Sequence, residues 1–316
     1  MKEKALQISY KAQLKIIWQT IGIPLVAFYL FFMLWANTAA HVNTSLGKLP
    51  GPAQVLGQVK AMWEGYKEEK TKAKDFYQKQ AENNAQKLAA DPTYQVRKHK
   101  YTGKPTYLSQ ITTSLITVFT GFFIASFVAV PLGIICGLSR TAMSALNPFI
   151  QIFKPISPLA WLPLVTIIVS AVYTTSNGPV EKCFLISAIT VALCSLWPTL
   201  INTAAGVSSI DKDYINVARV LQLGFFTKVF KIIIPASLPL IFTGLRISLG
   251  VGWMVLIASE MLAQNPGLGK FVWDEFQNGS SESLSKIMVA VFTIGIIGFL
   301  LDRVMVYLQK IVNFGK

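Results

Sequence analysis

Charged residues are scarce in this chain of 316 residues. Asp, Glu, Lys and Arg make up 14% of it and hydrophobic residues 53%, whereas a soluble domain usually carries about 25% charged residues. The scarcity is uneven, because residues 37–107 hold 12 of the 29 Lys and Arg. This distribution excludes an ordinary soluble domain and indicates a membrane protein with one large aqueous loop.

Residues that build catalytic and metal sites are also scarce. The two histidines, His41 and His99, lie in the polar loop, and Cys136, Cys183 and Cys194 lie in apolar stretches without a C-x-x-C pattern. The sequence therefore predicts no disulfide framework, no metal site and no catalytic residue. It also predicts no cofactor of its own.

A phosphate-binding loop is absent as well. Residues 267–270 faintly resemble the end of one, but Gln264 stands where the first Gly is needed and Phe271 where Ser or Thr is needed. We interpret this stretch as a turn, so that any ATP is hydrolysed by partner subunits.

The net charge of +14 has three interpretations. It can reflect loops that face water and anionic membrane lipid, or attraction of an anionic substrate. Nucleic-acid binding is disfavoured, because the basic residues form no DNA- or RNA-binding motif.

Six apolar stretches are long enough to span a membrane. The third contains Pro155, Pro158 and Pro163, which predicts a kinked or broken span. A cleaved signal peptide is an alternative for the first, although its apolar stretch is longer than the usual 7–15 residues. The stretches are about 14–36, 111–138, 147–173, 183–207, 229–263 and 287–312.

The polar loop at 37–107 is predicted to be partly helical and to lie outside the cell. Pro52–Ala90 is rich in helix formers, and Asp91-Pro92 stops that helix. With a cytoplasmic N-terminus, the inner segments carry twelve Lys and Arg and the short outer loops carry three. This count satisfies the positive-inside rule.

The segment between the fourth and fifth spans is amphipathic. Asp211 can cap a helix, and the run from Tyr214 to Phe226 has helical apolar spacing. We predict a short helix at 211–226, which Gly224 ends or bends. Such a helix can lie on the membrane, pack on the protein or dock in a groove of a partner.

This segment resembles the coupling motif of ABC importer permeases. The residues are Asn216-Val-Ala-Arg219, followed by Ile234-Pro235. The family motif is commonly Glu-Ala-Ala, with a Gly at its seventh position and a later apolar-Pro pair. Here Asn216 replaces the Glu, Val217 replaces the first Ala and Gln222 replaces the Gly.

Several further stretches are similar to permeases for nitrate, nitrite, cyanate and bicarbonate. The resemblance covers the first helix, 49–52 and most of 106–312. The stretches that carry it are 154–163, 196–203, 214–221, 239–246 and 271–274.

The resemblance implies an all-α polytopic protein with six transmembrane helices and the type I importer permease fold, in a bacterial plasma membrane. Its segments are 1–36 with the first span, the loop 37–107 and the permease domain 108–312. The implied partners are a second copy, two cytoplasmic ATP-binding subunits and a periplasmic or lipid-anchored binding protein. The implied coupling residues are Tyr214, Asn216, Val217, Ala218, Arg219, Leu221, Gly224 and Pro235.

The resemblance places import of a small inorganic anion first, with nitrate ahead of nitrite, cyanate and bicarbonate. Import of a sulfonate such as taurine is a second possibility. A sensor or scaffold that does not transport is a third. A stand-alone channel is disfavoured, because a channel needs no docking helix.

Two charges in the fifth span are candidates for the translocation path. Arg246 and Glu260 are about 21 Å apart on a straight helix and need partners from elsewhere. Arg246 is expected to be either a buried anchor bonded to carbonyl groups or a charge that faces the path. Glu260 is expected to be a gate or a contact between copies.

The remaining path candidates have alternative structural roles. Lys154 can be an interfacial lysine at the cytoplasmic end of the third span. Asn202 and Thr203 can bind an anion or hold helices together. Trp161 and Trp197 are more typical of packing than of ligand binding.

Overall fold

The computed structural model describes residues 15, 18–44, 47–90, 94–96, 98–173 and 181–313. Two compact units are present, one made of the residues up to Glu64 with Glu275–Val289, and one made of Gly65–Asp274 with Ala290 onward. Three predicted features lie outside the described residues. They are most of the N-terminal segment, the helix stop at Asp91-Pro92 and residues 174–180 of the outer loop predicted at 174–182.

The described residues are almost entirely helical, as predicted. Two short strands, β1 (Asn43–Thr44) and β2 (Gly47–Lys48), pair antiparallel. Single π-helical segments, Trp18–Gly22 and Val229–Ile233, lead into the first and ninth helices. The helices are α1 (Ile23–His41), α2 (Pro52–Ala90), α3 (Tyr107–Leu138), α4 (Arg140–Phe153), α5 (Pro158–Val172), α6 (Lys182–Ser208), α7 (Lys212–Val220), α8 (Phe225–Lys228), α9 (Ile234–Ala263), α10 (Leu268–Asn278) and α11 (Ser281–Asn313).

The third apolar stretch is broken, as its prolines predict. The helices α4 and α5 meet at a bend of 101°. Pro155 and Pro158 have no N–H group, so carbonyl groups in the preceding turn are left without their helical hydrogen bonds. The Ser157 hydroxyl accepts a hydrogen bond from the Leu159 N–H, and α5 begins there. Pro163 lies inside α5 without ending it.

A stripe of small residues on α3 packs directly on α6. A Cβ atom added at Gly133 would lie 2.6 Å from Cβ of Thr203, and one at Gly121 would lie 2.6 Å from the carbonyl oxygen of Ala188. No larger residue fits at these positions without moving a helix. The stripe consists of Gly121, Ala125, Ala129, Gly133 and Gly137, four residues apart.

The stripe shows that α3 and α6 are parallel. Gly121 meets Ala188 near the start of α6, and Gly137 meets Val207 near its end. Two consecutive parallel spans require the chain between them to cross the membrane once more. The residues 139–181 must therefore provide a crossing.

The bent pair α4–α5 provides this crossing. Ile150 of α4 clusters with Leu200 in the second half of α6, whereas Val165 of α5 clusters with Ile186 in its first half. The pair thus follows α6 from one end to the other. With the five long apolar helices or helix runs among the described residues, this makes six spans.

The ninth helix runs antiparallel to α6 and is joined to it through a kink. The Ser248 hydroxyl donates to the Ser195 carbonyl, and the Thr199 N–H donates to the Ser248 oxygen at 3.1 Å. A hydroxyl from α9 is therefore inserted into the backbone hydrogen bonds of α6 beside Pro198. Because α6 and α9 are antiparallel, α7 lies at the end of the bundle where α3 finishes.

The predicted helix at Pro52–Ala90 is confirmed. The segment after it returns along its side, where the Glu69 carboxylate accepts hydrogen bonds from the Tyr101 hydroxyl at 2.8 Å and the Lys104 N–H at 3.0 Å. The hydrogen bond from Tyr101 lowers the pKa of the Glu69 carboxyl below its ordinary value. Gln80 adds a bond from its side-chain amide to the His99 carbonyl.

We expect Gly133→Ala to destabilise the chain by about 1–3 kcal/mol, because the added methyl group overlaps Thr203. The measurement is the thermal unfolding midpoint of the purified chain in detergent. Gly250→Ala is the matched control, since a Cβ at Gly250 meets nothing within 4 Å. An equal midpoint for the two variants would contradict the close packing of α3 on α6.

Candidate coupling surface and translocation path

The short helix α7 is built by local capping. The Asp211 carboxylate accepts a hydrogen bond from the Asp213 N–H at 3.1 Å, so the predicted N-cap is confirmed. At the other end, the Gln222 N–H donates to the Arg219 carbonyl and the Leu223 N–H to the Ala218 carbonyl, both at 3.0 Å. These two bonds form a Schellman motif, which stops the helix.

The predicted extent of this helix, 211–226, is wrong. The helix ends at Val220 because Gln222 adopts a left-handed conformation with φ of 48°. Gly224 neither ends nor bends it, and instead precedes the separate helix α8. Pro235 lies in the first turn of α9, after a π-helical segment.

One face of α7 is apolar and uncovered in the single chain. Ala218 is buried against the protein and Ile215 is half-buried. The side chains on the other face project into solvent, and Asn216 and Arg219 are exposed beside them. We call this apolar set the coupling surface: Tyr214 at 57% exposure, Val217 at 53%, Val220 at 81% and Leu221 at 62%.

Arg246 pairs with Asp302 of α11. The Nε atom lies 2.5 Å from Oδ1 and the Nη2 atom 3.1 Å from Oδ2, which is a two-pronged ion pair. The side chains are 41% and 34% exposed. The expectation of a buried anchor bonded to carbonyl groups is therefore wrong, because the partner is a carboxylate and the pair is accessible.

Glu260 is enclosed within one chain. Both carboxylate oxygens accept from the Ser114 hydroxyl at 2.9 Å, and Oε2 accepts from the Gly269 N–H at 2.9 Å. The Leu268 N–H donates to the Ser114 oxygen, so Glu260 fixes the beginning of α10 to α3 and α9. Because Glu260 is 0% exposed, it can contact neither a second copy nor a solute in this conformation. This corrects its expected role as a gate or a contact between copies.

The polar candidates on α6 face other helices. The Asn202 amide donates to the Pro198 carbonyl at 2.8 Å, and Gly244 of α9 packs on its Cβ. Thr203 is 0% exposed and lies against Gly133. Thr203 is therefore enclosed between α3 and α6, whereas the Asn202 amide is engaged within α6 and its side chain is half-buried.

The aromatic candidates meet at the bend between α4 and α5. Phe153 stacks on Trp197 with ring centres 6.1 Å apart, and on Trp161 with centres 5.8 Å apart. Both indole N–H groups are buried without a hydrogen-bond partner. Lys154 is exposed at the bend itself, directly after α4.

Three residues of these sites were missed by sequence reasoning. Asp302 carries a detectable signal, since it is the one acidic residue after Glu282. Ser248 is an isolated hydroxyl residue in an apolar stretch, and Ser114 is one of several hydroxyl residues at the beginning of α3, so neither carries such a signal. Their roles depend on which helices become neighbours.

We expect Gln222→Gly to stabilise the end of α7 by about 1 kcal/mol, because glycine adopts the left-handed conformation without steric cost. The backbone amides of 214–221 should then exchange hydrogen about fivefold more slowly, which mass spectrometry can measure. Leu223→Gly is the control, because no positive φ favours glycine there, and it should speed exchange. Faster exchange in Gln222→Gly would contradict this cap.

Comparisons with known proteins agree with the geometry. The family model "Binding-protein-dependent transport system inner membrane component" matches residues 129–313. The nitrate import permease protein NrtB of Synechocystis is 38% identical over 203 residues, covering 64% of this chain and 69% of that protein. The bicarbonate transport system permease protein CmpB of Synechocystis is 39% identical over 208 residues, covering 66% and 69%.

A solved structure supports the fold. The inward-facing methionine ABC transporter MetNI matches with a TM-score of 0.57 and 14% identity, over 67% of this chain and 99% of that chain. Together with the six spans, these matches confirm the predicted importer permease fold. The chain belongs to the family of binding-protein-dependent ABC importer permeases, which are multi-pass proteins of the plasma membrane.

Proposed function

We propose that this chain forms the translocation path of an ATP-driven importer for a small inorganic anion. Nitrate is the first candidate, and bicarbonate, nitrite and cyanate follow. The support is the similarity to a nitrate permease and a bicarbonate permease at almost equal identity. Both of those solutes are small, planar, singly charged oxyanions.

The assembly that we propose contains two copies of this chain, two cytoplasmic ATP-binding subunits and an external binding protein. The observation that carries this proposal is the coupling surface, since three large apolar side chains on the nine-residue helix α7, and Leu221 directly after it, are exposed and need a partner. A helix with this face fits a groove of another protein. The exposed face of α9 at Ile247 and Met254 is a candidate contact for the second copy.

The coupling that we propose uses the position of α7 between two packed helices. It connects α6 to α9, and these two helices share the Ser248 hydrogen bonds. Movement of α7 is therefore transmitted to both helices together. Differential contacts with the ATPase in its open and closed states would then favour inward or outward states of the path.

Arg246 is the residue that we propose to act on the anion. Two of its five N–H donors engage Asp302, which leaves three donors for an oxyanion. Its exposure indicates that it faces an aqueous path or the second copy, because a charge facing lipid is unfavourable. Asp302 fixes the orientation of the guanidinium and reduces its net charge, so that an anion is attracted without being trapped.

Uptake of labelled nitrate by a strain that lacks this chain tests the function. The chain should restore ATP-dependent uptake, and unlabelled nitrate should compete better than bicarbonate or taurine. We expect Arg219→Glu to lower uptake more than about tenfold at normal expression, because a reversed charge beside the coupling surface disturbs docking. Lys231→Glu, which changes an exposed lysine outside α7, is the control.

Normal uptake by Arg219→Glu at normal expression would contradict the docking role. Restored uptake of taurine alone would favour the sulfonate alternative. If deletion of the chain lowered the uptake of none of these solutes, a sensor or scaffold would be favoured.

The ion pair gives a separate prediction. Arg246→Met should lower uptake at least about tenfold, since one charge near an anion contributes more than about 1.4 kcal/mol at an effective dielectric constant of about 20. It also leaves Asp302 without its partner and should lower the unfolding midpoint. The double variant Arg246→Met/Asp302→Leu should recover the midpoint but not uptake. Recovery of uptake in the double variant would show a purely structural pair.

A further inference from the structure

A cavity lies behind α7, at the predicted cytoplasmic end of the bundle. Its volume is about 620 Å³, within the range of small-molecule sites. Apolar side chains from four elements form its walls. Those used below are Met143 of α4, Ile201 of α6, Ile210 in the connection and Ile215 of α7.

Two cations border this apolar cavity. Arg140 and Lys228 line it from the start of α4 and the end of α8. In the described part of the chain, neither side chain forms an ion pair with a carboxylate. The positive end of the α4 helix dipole lies at the same place, because Arg140 is its first residue. The site therefore has unmatched positive charge next to apolar walls.

The ligand chemistry that fits both features is a phosphate group attached to a hydrocarbon chain. Arg140 and the lining residues Ala205 and Ser208 are exposed, so the cavity is open to its surroundings. Basic pockets between transmembrane helices on the cytoplasmic side bind the headgroups of anionic lipids. A soluble phosphate would use the two cations but would leave the apolar walls uncovered.

We propose that this cavity binds an anionic phospholipid of the inner leaflet. The phosphate contacts Arg140 and Lys228, and the beginning of an acyl chain lies against Ile201 and Met143. Because Ile215 belongs to the inner face of α7, a bound lipid fills the space between α7 and the ends of α3 and α6. The lipid thereby supports α7 from behind, while the coupling surface on its other side stays exposed to a partner.

Native mass spectrometry of the full chain in a zwitterionic detergent tests this proposal. Phosphatidylglycerol should bind more tightly than phosphatidylcholine. Arg140→Gln and Lys228→Gln should each weaken phosphatidylglycerol binding about fivefold, and the double variant about 30-fold. Lys231→Gln removes a nearby exposed lysine that does not line the cavity and should leave binding unchanged.

A second variant separates the cavity from its charge. Ala205→Trp fills the cavity while keeping both cations, and it should also weaken binding of phosphatidylglycerol. Inorganic phosphate in large excess should not displace the lipid. Equal binding of the two lipids, or no effect of the double variant, would overturn the proposal. Displacement by inorganic phosphate would assign the cavity to a soluble phosphate and would also overturn it.

Discussion

The contact between α3 and α6 is the constraint on which the rest of the structure depends. In a membrane, helices gain little from leaving lipid, so close packing must hold them together. Gly121, Gly133 and Gly137 permit this packing. Because the two helices are parallel, the chain between them must cross once more, which requires the bent pair α4–α5. The same arrangement places α7 and the cavity behind it at one end of the bundle.

Two polar side chains inside the bundle, Ser248 and Glu260, are satisfied across helices. Ser248 completes the hydrogen bonding of a kinked α6, and Glu260 fixes α10 to α3 through Ser114. Unsatisfied polar groups are costly in a bilayer, so these contacts are expected to rigidify the bundle. The pair Arg246–Asp302 differs, because it is accessible and the N–H donors of Arg246 that do not engage Asp302 are available to a ligand. Glu260 is therefore a structural charge, whereas Arg246 is the charge that we assign to the translocation path.

The parts of the fold that follow from local sequence were predictable. The six apolar stretches, the helix Pro52–Ala90 and the break near Pro155 needed only composition and local stereochemistry. The stripe on α3 is visible in the sequence as small residues at a four-residue spacing. The end of α7 was not readable, because Gln222 is held in a conformation that favours glycine. The partners Asp302 and Ser114 lie 56 and 146 residues from the groups they bind, and only tertiary packing reveals them.

The central claim is that the exposed face of α7 lies in the cytosol and meets an ATPase. Labelling of Val217→Cys with a membrane-impermeant maleimide tests it most directly. The parent chain is the control, because it shows how much label Cys136, Cys183 and Cys194 take up. The account predicts labelling in inside-out vesicles, protection when the ATPase subunits are bound, and no labelling in intact cells. Labelling from outside intact cells would contradict the topology and the coupling together.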